Sequence, residues 1–143
     1  MSLKLDLFID NILKVRCAYC HGNRIMAKPI LLFAVIAYIN SGVITKNKIL
    51  FNNNLADSYK TIWNLFCEIN VTPMWKPYYY LSSDGFWHLK WKENSIHKSA
   101  NSAKFIRDNI EYAYFDDELW ELLQEEETRK KLLNVLVKLI RNS

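Results

Sequence analysis

Three groups of residues carry types and spacings that could do chemistry. The first is Cys17-Ala18-Tyr19-Cys20-His21, a C-x-x-C-H pattern. In an exported protein two such thiols form thioether links to haem and the histidine becomes an axial ligand. The N-terminus here alternates charge and apolar residues (Lys4, Asp6, Asp10, Lys14), unlike a secretory signal. The same residues could begin a zinc site completed by Cys67, His88 or His97. No second C-x-x-C or H-x-x-x-H pair exists to close the set. Small thiols packed beside a loop histidine are the expected reading, with no metal and no cofactor.

The second group is the carboxylate cluster Asp116, Asp117, Glu118 and Glu121. Acidic residues at a helix start complement the helix dipole, and this accounts for them without catalysis. The sequence has no P-loop, no G-x-S-x-G elbow and no H-E-x-x-H. With only three histidines, it also lacks the His and Asn set of an HNH nuclease. A chain with no catalytic constellation of its own is expected.

The third group runs from Trp75 to Trp91. Trp75, Tyr78, Tyr79, Tyr80, Phe86, Trp87 and Trp91 are interleaved there with Lys76, Lys90 and Lys92. Aromatic faces among cations suit a surface that tracks phosphates and touches bases. They equally suit a hairpin that packs one face on helices and shows lysines on the other.

The elements that must position these groups follow from periodicity. Residues 5–16 have helical spacing of Leu5, Phe8, Ile9, Ile12 and Leu13. Pro29 opens a second helix through Ile39, stopped at Ser41-Gly42. It is apolar nearly all round and is therefore expected to be the central, buried helix. Lys48 to Phe51 is a short extended candidate. Asn54 is the expected cap of a third helix reaching about Asn70. Tyr79–Leu81 and Phe86–Trp91 are expected to be strands of one β-hairpin, joined at Asp84-Gly85. Ser99 or Ser102 caps a short helix to about Asp108, Asp116 caps another, and Thr128–Ile140 closes the chain as an amphipathic helix. The expected class is α+β, mostly helical, in one domain over residues 1–143.

Composition bounds the partners. Half the residues are apolar, 14% are aromatic, and only 3 Gly and 3 Pro are present. That argues for a packed core and against disorder. The longest apolar run, Ile30 to Ile39, is ten residues, short of the roughly 18–20 that a membrane span needs. The expectation is a cytoplasmic protein with reduced thiols and no membrane partner. The net charge of +4 is unevenly spread: residues 1–107 hold 14 Lys/Arg against 6 Asp/Glu, and residues 108–143 hold 5 against 9. A polyanion would be drawn to the first part and repelled by the last.

Three segments resemble one family. Lys28-Pro29-Ile30-Leu31-Leu32-Phe33-Ala34-Val35-Ile36 is similar to its K-P-hydrophobic helix. Pro77-Tyr78-Tyr79-Tyr80-Leu81-Ser82-Ser83-Asp84-Gly85-Phe86-Trp87-His88-Leu89 resembles its P-F-x-x-L-x-x-D-G-F-W-H-L signature. Phe115–Leu123 with Arg129–Leu133 resembles its closing helices. The family is the N-terminal domain of HNH-type restriction endonucleases, related to the DNA sulfur-binding domains that recognise phosphorothioate-modified DNA.

The resemblance implies a module that reads double-stranded DNA, backbone-modified or otherwise modified, for a prokaryotic restriction or defence system. A separate HNH nuclease domain or subunit would cut. It also implies an apolar pocket for the sulfur, walled by a proline that Pro77 matches, with Arg24 and Lys28 in the adjoining basic stretch. Lys76 stands where the family has a tyrosine. Tyr80 stands near a small pocket residue, where its phenol can fill the space. The expected DNA-facing set is His21, Arg24, Lys28, Lys76, Pro77, Tyr78, Tyr80, Ser82 and Lys90. Two other readings stay open: a protein-interaction adaptor that docks through an exposed aromatic hairpin, and a metalloprotein built on Cys17, Cys20 and His21.

Overall fold

The structure is a computed structural model that describes residues 3–17, 19, 20, 23–67, 69–95 and 97–142, with backbone alone at 19, 20 and 23. The order of elements is α1 (Leu3–Leu13), β1 (Tyr19–Cys20), β2 (Asn23–Arg24), α2 (Ala27–Asn40), α3 (Asn53–Phe66), α4 (Trp75–Tyr80), a 3-10 turn (Leu81–Asp84), β3 (Trp87–Trp91), α5 (Ala103–Asn109), β4 (Ile110–Phe115), α6 (Asp117–Leu122) and α7 (Glu126–Arg141). The class is α+β and mostly helical, as the periodicity predicts.

Helix α2 is the hub. Ten of its residues are buried, and it packs against α3, α4 and α7. An apolar surface this wide can be satisfied only by neighbours on several sides. Every helix contributes to the same core, from Phe8 of α1 and Trp63 of α3 to Phe105 of α5 and Leu136 of α7. Fully burying one such large apolar side chain stabilises the fold by about 1.5–3 kcal/mol. Caps set some of the boundaries. The Asn52 side chain accepts from Leu55 N at 2.9 Å, so the cap of α3 lies two residues before the expected Asn54. Ser102 caps α5 through Phe105 N at 3.1 Å.

The sheet differs from the hairpin expectation. Tyr79–Leu81 is helical, and the partner of β3 is β4, antiparallel, with Trp87 opposite Phe115 and Lys90 opposite Tyr112. Pro77 is the third residue of α4, where its missing N–H breaks no helical bond. Ser82 and Ser83 bond back to the carbonyls of Tyr79 and Tyr80 at 2.8 and 2.9 Å, which continues the helical path. Gly85, at φ +92°, then ends the turn in the left-handed region and releases the chain into β3. The Asp-Gly pair is thus a helix stop, not a hairpin tip. The other antiparallel pair among the described residues is the short β1–β2, Tyr19 opposite Arg24.

Behind the sheet lies an aromatic cluster. Trp87 meets Tyr78 and Phe115 edge-on at 5.7 and 5.3 Å, and its indole N–H donates to Tyr78 O at 2.9 Å. This cluster fixes α4 against the sheet and so orients the outer residues of α4. No helix among the described residues is long and apolar enough to cross a membrane.

Candidate nucleic-acid interface

Helix α4 and the segment leading into α2 enclose an open cleft of about 620 Å³. Ile25, Ala27, Trp75, Pro77 and Tyr80 form its apolar walls. Arg16, Lys28 and Lys76 bring positive charge to it, and Cys17, Thr72 and Ser83 complete the lining. A concave, mostly apolar site with a few convergent polar groups is the usual form of a ligand site, and the volume falls within the ~300–1,000 Å³ typical of one.

The two long-range ties that hold the cleft both end on Asp84. Its Oδ2 accepts from Lys28 Nζ at 2.7 Å, and its Oδ1 accepts from the backbone N of Arg16 at 3.0 Å. The Asp84 and Lys28 side chains are only 4% and 10% exposed. A buried carboxylate persists where a cation and hydrogen bonds satisfy it, and this one has both. The pair joins the start of α2, the end of α1's following segment and the 3-10 turn at one point. Lys28 therefore enters the cleft with its charge already matched.

Arg24, from β2, reaches the cleft through Cys17: its Nη2 lies 3.7 Å from the Cys17 Sγ. Cys17 also directs its thiol to the Val15 carbonyl at 3.6 Å. Burial raises the Cys17 pKa above that of an ordinary thiol, and the Arg24 guanidinium opposes this only in part. The wall atom is thus a neutral, polarisable S–H. Lys76 is exposed and holds its ammonium 5.8 Å from the Trp75 ring centroid. Tyr80 is 44% exposed and rests edge-on against Tyr79 at 5.0 Å. It forms a wall of the cleft and leaves the space open.

Of the residues expected to face DNA, Lys28, Lys76, Pro77 and Tyr80 line this one cleft, and Arg24 adjoins it. Four others do not. Tyr78 is fully buried and donates its hydroxyl to Ile49 O at 2.6 Å. Ser82 is exposed beside the cleft, whose lining takes its neighbour Ser83 instead. Lys90 stands on β3, outside the lining. His21 lies outside the described residues, as does the side chain of Cys20, so the C-x-x-C-H set cannot be assembled from them. Arg16, Cys17, Ile25, Ala27, Thr72 and Ser83 join the site unforeseen, and Trp75, named in the aromatic and cationic segment, joins it from outside the expected DNA-facing set. Their signal was available only for Trp75, five residues before Tyr80 on a helix that the strand reading hid.

The aromatic segment is mostly core. Tyr78, Phe86 and Trp87 are fully buried. The exposed aromatic hairpin that an adaptor would need does not form.

No family model matches the chain, and no curated protein matches it. Solved structures do. One, described as the sulfur binding domain of ScoMcrA complexed with phosphorothioated DNA, superposes with a TM-score of 0.69 at 15% identity, covering 92% of this chain and 85% of that one. Another, the sulfur binding domain and SRA domain of ScoMcrA complexed with phosphorothioated DNA, gives 0.68 at 14% identity, covering 89% of this chain and 40% of that one. The chain shares the fold of these sulfur-binding domains.

Proposed function

We propose that this chain is a DNA-recognition module that reads backbone-modified DNA, phosphorothioate first among the candidates, in a restriction or defence system. Cutting would fall to a separate HNH-type nuclease domain or subunit, and this chain would contribute recognition alone. The observation that carries the reading is the cleft, where Arg16, Lys76 and the neighbouring Arg24 surround an apolar wall of Ile25, Pro77 and Tyr80. Likeness in fold to domains solved with phosphorothioated DNA supports the same reading.

The physical logic is a division of labour. Exchange of a phosphate oxygen for sulfur keeps the charge but makes one edge softer and less hydrated. An apolar wall with a neutral thiol can favour that edge, because it forfeits fewer water hydrogen bonds on burial. The cations supply sequence-independent, salt-dependent affinity. Lys28 contributes through its grip on Asp84, which sets the cleft's shape.

The test is a gel-shift titration with plain, methylated and phosphorothioate duplexes. Wild type is expected to prefer one modified duplex, and Arg24→Ala and Tyr80→Ala to alter binding. Absence of binding to every duplex at low salt would defeat the proposal. Equal affinity for all three would reduce the proposal to DNA binding that does not read the modification.

A further inference from the structure

A second cationic surface lies on the outer face of the sheet, away from the cleft lining. Cross-strand register places His88 opposite Tyr114 and Lys90 opposite Tyr112. Their neighbours Trp87, Ala113 and Phe115 are buried, so alternation along the strands turns these four outward. The register shifts between Lys90 and Trp91, and Glu111 takes the extra position on β4.

The loop before α3 adds a third row. Ile49 and Ala113 exchange two backbone hydrogen bonds, at 2.7 and 3.0 Å. The Asn47 amide clips the backbone of Phe115 at both ends, donating to its O and accepting from its N, each at 2.8 Å. Lys48 sits between these two anchors and holds its ammonium 5.3 Å from the Tyr112 ring centroid. Tyr112 is therefore flanked by Lys48 from the loop and Lys90 from β3. Its ring centroid is 5.9 Å from that of Tyr114, which lies 5.2 Å from the His88 ring.

Charge and composition select the occupant. Two carboxylates adjoin this row: Asp116, which is taken by His88, and the exposed Glu111 at the extra position of β4, so the two lysines outnumber the one carboxylate left over. Neither Lys48 nor Lys90 forms an ion pair among the described residues. The row of Lys48, Lys90, Tyr112, Tyr114 and His88 contains no aliphatic side chain, so it is not an apolar docking patch. Two exposed ammonium groups beside two phenols match a run of phosphates, which tyrosine hydroxyls and lysines bind without reading sequence.

The geometry points to the outer sheet face as a second DNA contact, engaging the sugar–phosphate backbone independently of the cleft. This rests on the DNA-binding reading above. The experiment is salt-dependent titration of plain and phosphorothioate duplexes with wild type, Lys48→Ala/Lys90→Ala and Lys76→Ala. The double variant changes exposed side chains only, and its melting temperature is checked against wild type. Loss of two phosphate contacts should reduce the slope of log affinity against log salt by about 1.8. Affinity for plain and modified duplexes should fall by the same factor, leaving their ratio unchanged. Wild-type slope and affinity in the double variant, with weakened binding in Lys76→Ala, would overturn the second contact and leave the cleft in place. Failure of wild type to bind either duplex would remove both.

Discussion

Lys28 and Asp84, 56 residues apart in sequence, meet at 2.7 Å in a nearly dry setting beneath the cleft. The resemblance to a DNA-binding family suggests Lys28 as a phosphate ligand, yet its ammonium is engaged inside the protein. Removing one partner of a buried pair strands the other charge. Lys28→Met is expected to cost about 3–5 kcal/mol in denaturant unfolding. The double variant Lys28→Met/Asp84→Asn should recover a large part of this, because asparagine can still accept from Arg16 N. A double variant no more stable than Lys28→Met would show that the pair does not act as a unit.

Lys76 is the exposed cation of the cleft. If it touches a phosphate, Lys76→Ala should weaken binding to all duplexes alike and reduce the salt slope by about 1. Tyr80→Ala should act differently, changing the ratio of modified to plain binding while leaving the slope near that of wild type. Parallel titrations at several salt concentrations check both outcomes. The same response from the two variants would place Tyr80 among general backbone contacts.

Alkali should unfold the protein through its buried phenols. Burial raises the pKa of Tyr59 and Tyr78 far above the ordinary phenol value. Above about pH 10 the unfolded chain loses these protons and the native one keeps them, so stability falls as pH rises. Their ionisation, followed by ultraviolet absorbance, should coincide with loss of the folded circular-dichroism signal. Full tyrosine ionisation in a still-folded protein would contradict this. Tyr78→Phe, which removes one of the two hydrogen bonds to the Ile49 carbonyl and leaves it the Ala113 N–H, is expected to cost about 0.5–1.5 kcal/mol.

Cys17 should be a slow thiol. Its raised pKa keeps it protonated at neutral pH, and alkylation requires the thiolate. The reaction rate at Cys17, followed by mass spectrometry, should stay low through pH 8 and climb only above the usual thiol range. Bound DNA that covers the cleft should slow it further. Rapid modification at pH 7 would show that the Arg24 guanidinium outweighs burial.

The helical part of the fold was legible because periodicity reports it directly. The all-apolar run from Ile30 to Ile39 could only be a central helix. The stripe Leu132, Leu136 and Ile140 could only face inward. The hairpin was misread for a specific reason: three tyrosines and an Asp-Gly pair have strong strand and turn preferences. The local sequence was overruled by packing, since Tyr78 has to reach Trp87 and Ile49 from a helix. Strand β4 escaped notice because its inward set, Ile110, Ala113 and Phe115, is out of step until the extra residue at Glu111 is counted. In the cleft, Lys76, Pro77 and Tyr80 were foreseen as neighbours on one short segment. Arg16 and Cys17 were not, because tertiary contacts bring their segment there: the bond from Arg16 N to Asp84, the burial of Val15 and the contact of Cys17 with Arg24.

The clip formed by Asn47 and Ile49 has one more consequence, for how copies of this protein behave at high concentration. A strand that offers bare peptide groups along its rim invites another chain to zip onto it. Here the outer rim of β4 already spends its hydrogen bonds at Ala113 and Phe115 on the protein's own loop. Association through that rim would first require peeling the loop away, so the sheet should not grow from the β4 side even when molecules crowd together on a long polymer.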